Sequence, residues 1–371
     1  MTNKVYIVTG ATGFLGSVLV KKLVAAGHTV HAVVRSKDKA EKVFGDLNVK
    51  IFVANICDKE ALKDIFNESG DNYVVIHTAG SVVLSGSSYD YAEMRRANIY
   101  GTQNIVDLCT KRHKKLIYVS SVHALNELKD KTAIASEQEV FDPKLVKGHY
   151  AKSKAGASSI VVDGIKFHEL DAVIVHPSAI IGPDDTSNSH TTLMIKDYLA
   201  GRVPAATKGG FNFVDVRDVA DGIIAAENAS TGSSYILSGK YYSVKEMLDI
   251  LHEVSGRKKI TKELPIWLAK CALPFVWTYC KLRKRRPLYT GYHLYAVGAN
   301  SNYNNQKAID ELSFNPRELK ETLTDTVAKL APLIQPKLSK KEKQALKEQK
   351  EKATEAEATN SNWSQVSDKE A

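Results

Sequence analysis

The chain has 371 residues, 43% of them hydrophobic and 25% charged, which is enough apolar material for a large buried core and excludes both a small stapled scaffold and a chain disordered throughout. Its 51 lysines and arginines against 42 acids leave a net charge of +9, so an acidic partner such as nucleic acid, anionic lipid or a phosphorylated ligand has to be weighed by where the excess sits. Cys57, Cys109, Cys271 and Cys280 form no Cys-x-x-Cys or Cys/His ligand spacing, which points to a reducing, cytoplasmic compartment and to no metal.

The opening MTNKVYIVTG lacks the cationic and long apolar segments of a signal peptide. Continuous β-branched runs then predict strands at Val5–Thr9, Thr29–Val34, Val49–Val53, Tyr73–His77, Lys115–Ser120 and Asp171–His176, and helical spacing predicts helices over 14–26, 38–43, 59–67, 89–113 and 149–167. Strand and helix in alternation predict an α/β fold, a doubly wound parallel sheet covered on both faces with its ligand crevice at the carboxyl ends of the strands. From about Ile180 glycines punctuate shorter elements, and a smaller lobe is expected over 181–336, with parts of 205–240 returning to complete the sheet of 1–180. Residues 337–371 are polar, charged and without period, and are expected to form a disordered tail.

At the first strand–helix junction, Gly10-Ala-Thr12-Gly13-Phe14-Leu15-Gly16 places three glycines where a tight turn, a close approach to pyrophosphate and a helix–sheet contact need them. The helix N-terminus would offer its N–H groups to the anion, so the first 180 residues read as a Rossmann-type dinucleotide-binding unit with Gly10, Thr12, Gly13, Phe14, Leu15 and Gly16 as contacts. The second strand ends in Val34-Arg35-Ser36 with no carboxylate before Asp38. A guanidinium there suits a 2′-phosphate better than a bare ribose diol, so NADP is favoured over NAD, with Arg35 as main contact and Ser36 and Lys42 as helpers.

Ser120-Ser121 ends a strand, and Tyr150-Ala-Lys-Ser-Lys154 opens the next long helix. Tyr and Lys four apart share a helix face, so the Lys154 ammonium can bring the Tyr150 phenol towards working pH, while Ser121 can bind a carbonyl oxygen that gains charge as hydride arrives.

With TGATGFLG (Thr9–Gly16), VIHTAG (Val75–Gly80), NIYGTQN (Asn98–Asn104), YVSS (Tyr118–Ser121), YAKSK (Tyr150–Lys154), HPSAIIGP (His176–Pro183) and FVDVRDVA (Phe213–Ala220), residues 3–335 resemble the extended short-chain dehydrogenase/reductases, also called the NAD-dependent epimerase/dehydratase family. The resemblance implies that Ser121, Tyr150 and Lys154 are catalytic, that Tyr150 and Lys154 also touch the nicotinamide ribose, that Ala79 and Gly80 turn over the adenosine side, and that Pro177 and Ser178 lie on the nicotinamide. Asn55-Ile56 stands where the family often has Asp-Leu or Asp-Ile beside the adenine. The closest branch is that of the dihydroflavonol-4-reductase-like and 3β-hydroxysteroid-dehydrogenase-like reductases, in which Lys42 seven beyond Arg35 matches an NADP signature. Ser121 is followed by Val-His-Ala and not by the Asp-Glu of the dehydratases, and His123 is read as a solvated loop histidine in preference to a substrate contact.

Leu264–Tyr289 combines Trp267, Phe275, Trp277 and Tyr279 with the basic run 281–286, which carries +5 of the charge excess. The resemblance makes it a cover for a hydrophobic substrate; the residues alone equally fit a core helix with a solvated basic end, or a peripheral membrane contact over 264–286. Its 17 apolar-rich residues, broken by Pro265, Lys270 and Pro274, are too short to span a bilayer, and one short basic run with no nucleic-acid module excludes nucleic acid. Ile105, Val106 and Leu108 suit either the core or a homodimer, and Asp215 and Asp218 are read as capping and pairing locally. The expected function is an NADP-dependent oxidoreductase passing hydride between nicotinamide and a carbonyl or secondary alcohol of a hydrophobic small molecule; a sugar-nucleotide epimerase or isomerase with retained cofactor, and a non-catalytic NADP-sensing protein, are the alternatives.

Overall fold

A computed structural model describes residues 4–334 except 85, 129, 131, 188 and 283–289, so the expected tail and the cations Arg283–Arg286 lie outside the described residues. Strands Val5–Thr9 (β1), Thr29–Val34 (β2), Val49–Val53 (β3), Tyr73–His77 (β4), Leu116–Val119 (β5) and Ala172–Pro177 (β6) alternate with helices Phe14–Ala25 (α1), Lys37–Phe44 (α2), Lys59–Glu68 (α3), Ser88–Arg95 (α4), Gly101–Arg112 (α5) and His149–His168 (α6). The single helix expected over 89–113 is in fact α4 and α5, separated by a π turn at Arg96–Tyr100. One widened turn leaves the apolar period nearly unchanged, which is why the sequence reads as unbroken. Its effect is to turn Asn98 inward, where it is 2% exposed.

After β6 the chain builds Ala179–Ile181 (β7), His190–Leu199 (α7), Ala206–Thr207 (β8), Gly210–Asp215 (β9), Val216–Ala225 (α8), Ser234–Leu237 (β10), Lys240–Ser243 (β11), Val244–Ser255 (α9), Glu263–Leu264 (β12), Ile266–Leu282 (α10), Gly291–Val297 (α11), Gln306–Leu312 (α12) and Leu319–Leu330 (α13). The seven-stranded parallel sheet has the order β10-β6-β5-β4-β1-β2-β3, and successive strands progress in opposite directions on either side of the β1/β4 boundary. In such sheets that reversal opens a crevice at the carboxyl ends. On one face Leu19 and Leu23 of α1 share a core with Val219 and Ile223 of α8; on the other Ile105 and Leu108 of α5 pack with Val161 of α6. Ile105, Val106 and Leu108 are at most 3% exposed, so the chain's own core takes them and they are not a surface for a second copy.

The smaller lobe has its own core, in which Tyr198, Phe213, Met247, Leu251 and Leu323 are buried. Asp215 caps α8 and pairs with Arg217, as read from sequence. Asp218, however, pairs bidentately with Arg317, 99 residues along the chain, and so ties α8 to the start of α13; the partner is long-range because the helix end turns Asp218 inward to 5% exposure. No described helix is long and apolar enough to cross a membrane.

Candidate active site

The glycine loop occupies the bend between β1 and α1. Gly10 adopts φ +70°, and a Cβ there would meet the Ala79 backbone at 2.7 Å; a Cβ on Gly16 would lie 2.3 Å from the Gly10 carbonyl oxygen. Both positions therefore exclude a side chain, which lets the loop fold tightly against the turn after β4. Gly13 is the N-cap of α1 and brings no side-chain acceptor, and the first helical turn carries no acid. The N–H groups of that turn, around Phe14, Leu15 and Gly16 and beside Thr12, are thus left for an external anion. Thr9 Oγ1 bonds His77 Nδ1 at 2.6 Å and accepts from the Ala79 N–H at 3.3 Å, which ties the ends of β1 and β4 together and sets Ala79 and Gly80 over the same crevice.

Arg35 follows β2 directly and is exposed, as is Lys42 on α2, and neither has an acidic partner among the described residues. Ser36 caps α2 by accepting from the Lys39 N–H at 3.2 Å. Asn55, after β3, accepts from the Cys57 N–H at 3.0 Å in a local turn, and Ile56 packs against Gly101 while its carbonyl accepts from Asn104 at 3.0 Å.

Ser121 closes β5 and is 7% exposed; Tyr150 and Lys154 sit one turn apart on α6. Burial dominates at the Tyr150 phenol and pushes its pKa up to about 12, with the nearby Ser121 hydroxyl acting in the opposite direction. The Lys154 ammonium donates to the Val119 carbonyl at 2.9 Å and lies 5.3 Å from the centre of the Tyr118 ring. Burial lowers its pKa to about 8. A Cβ on Gly80 would come within 3.4 Å of Lys154 Nζ and of Asn98 Oδ1, so the turn after β4, the π turn and α6 converge here.

Asn98 supplies a connection that the sequence reading named only as part of a motif. Its Oδ1 accepts from the Ser81 N–H at 2.7 Å, and its Nδ2 donates to the Ser81 carbonyl at 3.0 Å and to Ser153 Oγ at 2.9 Å. Ser153 Oγ in turn donates to the Tyr150 carbonyl at 2.7 Å. The available signal was an Asn followed three residues later by a Gly inside a helical pattern. Pro177 and Ser178 end β6, and Ser178 Oγ donates to Asn212 Oδ1 at 2.9 Å, joining the sheet to the smaller lobe.

Tyr150 opens onto a cavity of about 170 Å³ whose wall includes Val82, Leu84, Met194, Phe211 and Phe213, with α11 on its far side. His123 belongs to this wall, its ring centre 6.0 Å from that of Tyr150 and edge-on to it. Half-buried in this wall, it is not the freely solvated loop histidine expected; the short turn after β5 carries it there. The cover is also different from expectation. Among the described residues the cavity is closed by Tyr292, His293, Ala296 and Val297 of α11, and not by 264–282. Nor is α10 a core helix, since Trp267 and Phe275 are 67% and 78% exposed. Among the described residues no group of three or more His, Cys, Asp or Glu could hold a metal ion.

Residues 6–237 match the model of the NAD dependent epimerase/dehydratase family. A candidate dihydroflavonol 4-reductase of Synechocystis is 29% identical over 331 residues, 87% of this chain and 93% of that protein. The 4-hydroxy-2-methyl-3-oxo-4-farnesyl-3,4-dihydroquinoline-1-oxide ketoreductase of Stigmatella aurantiaca is 27% identical, over 88% of this chain and 96% of its own. Among solved structures, that of gox2253 aligns with a TM-score of 0.76 at 30% identity, covering 90% of this chain and 100% of that one.

Proposed function

Because the chain belongs to the NAD dependent epimerase/dehydratase family, we propose that it works as an NADP-dependent reductase of an apolar small-molecule ketone or aldehyde. The observation that carries this reading is the Tyr150 phenol at the wall of an otherwise mostly aliphatic and aromatic cavity, on the same helix face as Lys154. That the ketoreductase of Stigmatella acts on a farnesylated compound agrees with such a cavity.

The uncapped N-terminus of α1, without an acid in its first turn, fits the pyrophosphate of a dinucleotide, and the unpartnered Arg35 and Lys42 fit a 2′-phosphate. Ala79, Gly80, Asn55 and Ile56 border the adenosine side, with Pro177 and Ser178 at the nicotinamide. A bound NADPH supplies the hydride. The Ser121 hydroxyl orients the substrate oxygen, and Tyr150 Oη, held protonated at neutral pH by its burial, gives that oxygen a proton as the carbon takes the hydride. Lys154 holds a positive charge under the cofactor side and stabilises the phenolate left behind.

Oxidation of NADPH with hydrophobic ketones and aldehydes, followed by absorbance, tests the reading. Turnover should consume one NADPH per carbonyl, whereas an epimerase would rearrange substrate without net consumption. Tyr150→Phe should cut the rate at least a hundredfold and leave NADPH affinity within a few-fold; retained activity overturns the role of Tyr150. Arg35→Ala should weaken NADPH but not NADH binding by about tenfold, and an unchanged preference would overturn the choice of cofactor.

A further inference from the structure

The α10 helix leaves one long face uncovered by any described element. Ala269 turns inward with the half-buried Ile266 and Leu273, and Ile266 seats the helix against the end of α11, its Cδ1 2.7 Å from the place of a Cβ on Gly298. At about 100° per residue, Trp267, Thr278, Cys271, Leu282, Phe275 and Leu268 fall within an arc of about 100° on the opposite side, and each of them is exposed. The arc runs the length of the 17-residue helix, which contains no acid. The Thr278 hydroxyl on it already donates to the Pro274 carbonyl at 2.9 Å. Single apolar side chains at a surface are ordinary, but a stripe of large ones along one helix marks a contact.

The charge around the stripe selects the partner. From Arg257 to Arg286 the chain carries ten lysines and arginines against Glu263 alone, so this stretch holds an excess as large as the whole molecule's +9, and the remaining residues balance. Lys258, Lys259 and Lys262 are exposed ahead of the helix and Lys270 is exposed on it, while Arg283, Lys284, Arg285 and Arg286 follow it in sequence. An apolar stripe bordered by cations fits hydrocarbon lying under anionic headgroups; nucleic acid or an acidic protein surface would match the cations and leave Trp267, Phe275 and Leu282 in water.

We propose that α10 docks the protein on an anionic lipid bilayer, lying in the plane of its surface with Trp267, Leu268, Phe275 and Leu282 among the acyl chains and the flanking cations at the headgroups. The helix is too short to span and enters from one side. The contact is independent of the reaction proposed above.

Sedimentation of the full chain with sucrose-loaded vesicles tests it. In about 0.1 M salt the wild type should bind phosphatidylcholine vesicles containing about 30% phosphatidylglycerol about tenfold more tightly than phosphatidylcholine alone. Trp267→Ser combined with Phe275→Ser should weaken binding about tenfold, and Leu282→Ser, at the other end of the arc, about threefold. These side chains are exposed, so both variants should keep the wild-type urea midpoint, which separates lost docking from lost folding. Arg283→Gln, Lys284→Gln, Arg285→Gln and Arg286→Gln together should remove most of the preference for the anionic vesicles. A wild type that stays in solution with the anionic vesicles, binding that ignores lipid charge, or folded serine variants that bind like the wild type each overturns the proposal. So does a wild-type dimer that the double serine variant dissociates, without vesicle binding, which assigns the face to a second copy of the chain.

Discussion

Lys154 is the residue at which burial and chemistry pull hardest against each other. The residue is 6% exposed, and its ammonium holds one carbonyl acceptor and has its pKa lowered to about 8 by burial. Above that pH the positive charge under the site is lost, so NADPH-dependent turnover should show an alkaline limb with a midpoint near pH 8, falling as pH rises. A rate flat to pH 10 would show that the charge is not needed. Tyr150, with its pKa raised to about 12, keeps its proton throughout this window, so the limb belongs to the lysine. The sequence places these two side chains on one helix face. It does not show that the Lys154 ammonium also donates to the Val119 carbonyl or that the Ser121 hydroxyl acts on the phenol; only the packing of α6 on β5 decides this.

Among the elements, the π turn between α4 and α5 decides how well the site is held. Asn98 links Ser81 to Ser153, and so the loop beside Gly80 to the turn of α6 that carries Tyr150 and Lys154. Asn98→Ala would leave the Ser81 N–H and carbonyl without those partners, and should cost about 2 kcal/mol in urea unfolding. A larger effect is expected on catalysis, with kcat down at least tenfold because the two halves of the site lose their register; a stability loss with unchanged kcat would make Asn98 merely structural. The six strands of the first half were legible because a buried parallel strand must be continuously apolar, and β1 to β4 end where the runs of Val5–Thr9 to Tyr73–His77 end. The cover was not legible. Tyr292 and His293 sit in a seven-residue helix whose partners, on α7, β9 and the turn after β5, are far away in the chain, and no local period announces such contacts.

For the whole molecule, the buried histidines of the sheet set the behaviour in acid. His77 and His176 are fully buried, and desolvation lowers their pKa values to about 3 and about 4. Both are neutral when folded and take up protons near pH 6.5 when unfolded, so their contribution to stability is present above pH 6.5 and is lost as pH falls towards 4. At about 1.4 kcal/mol per pH unit for each, the free energy of unfolding in urea should be about 2–3 kcal/mol lower at pH 5.5 than at pH 7.5. Equal stability at the two values would mean that the rings gain protons without leaving their places, against the bonds His77 makes to Thr9 and Thr102.

The place of α8 and β10 in the chain bears on how the protein is made. The helix that covers Leu19 and Leu23 of α1, and the strand that pairs with β6, both come from residues beyond 215, after the first excursion into the smaller lobe. A nascent chain that has emerged only as far as Pro177 therefore leaves β6 without its outer partner and one apolar helix face bare, the two features that draw unfinished chains into aggregates. Translation must proceed past Ala225 before the helix face is covered and past Leu237 before β6 is paired, so the nucleotide-binding half cannot finish folding until the first segment of the smaller lobe has been made.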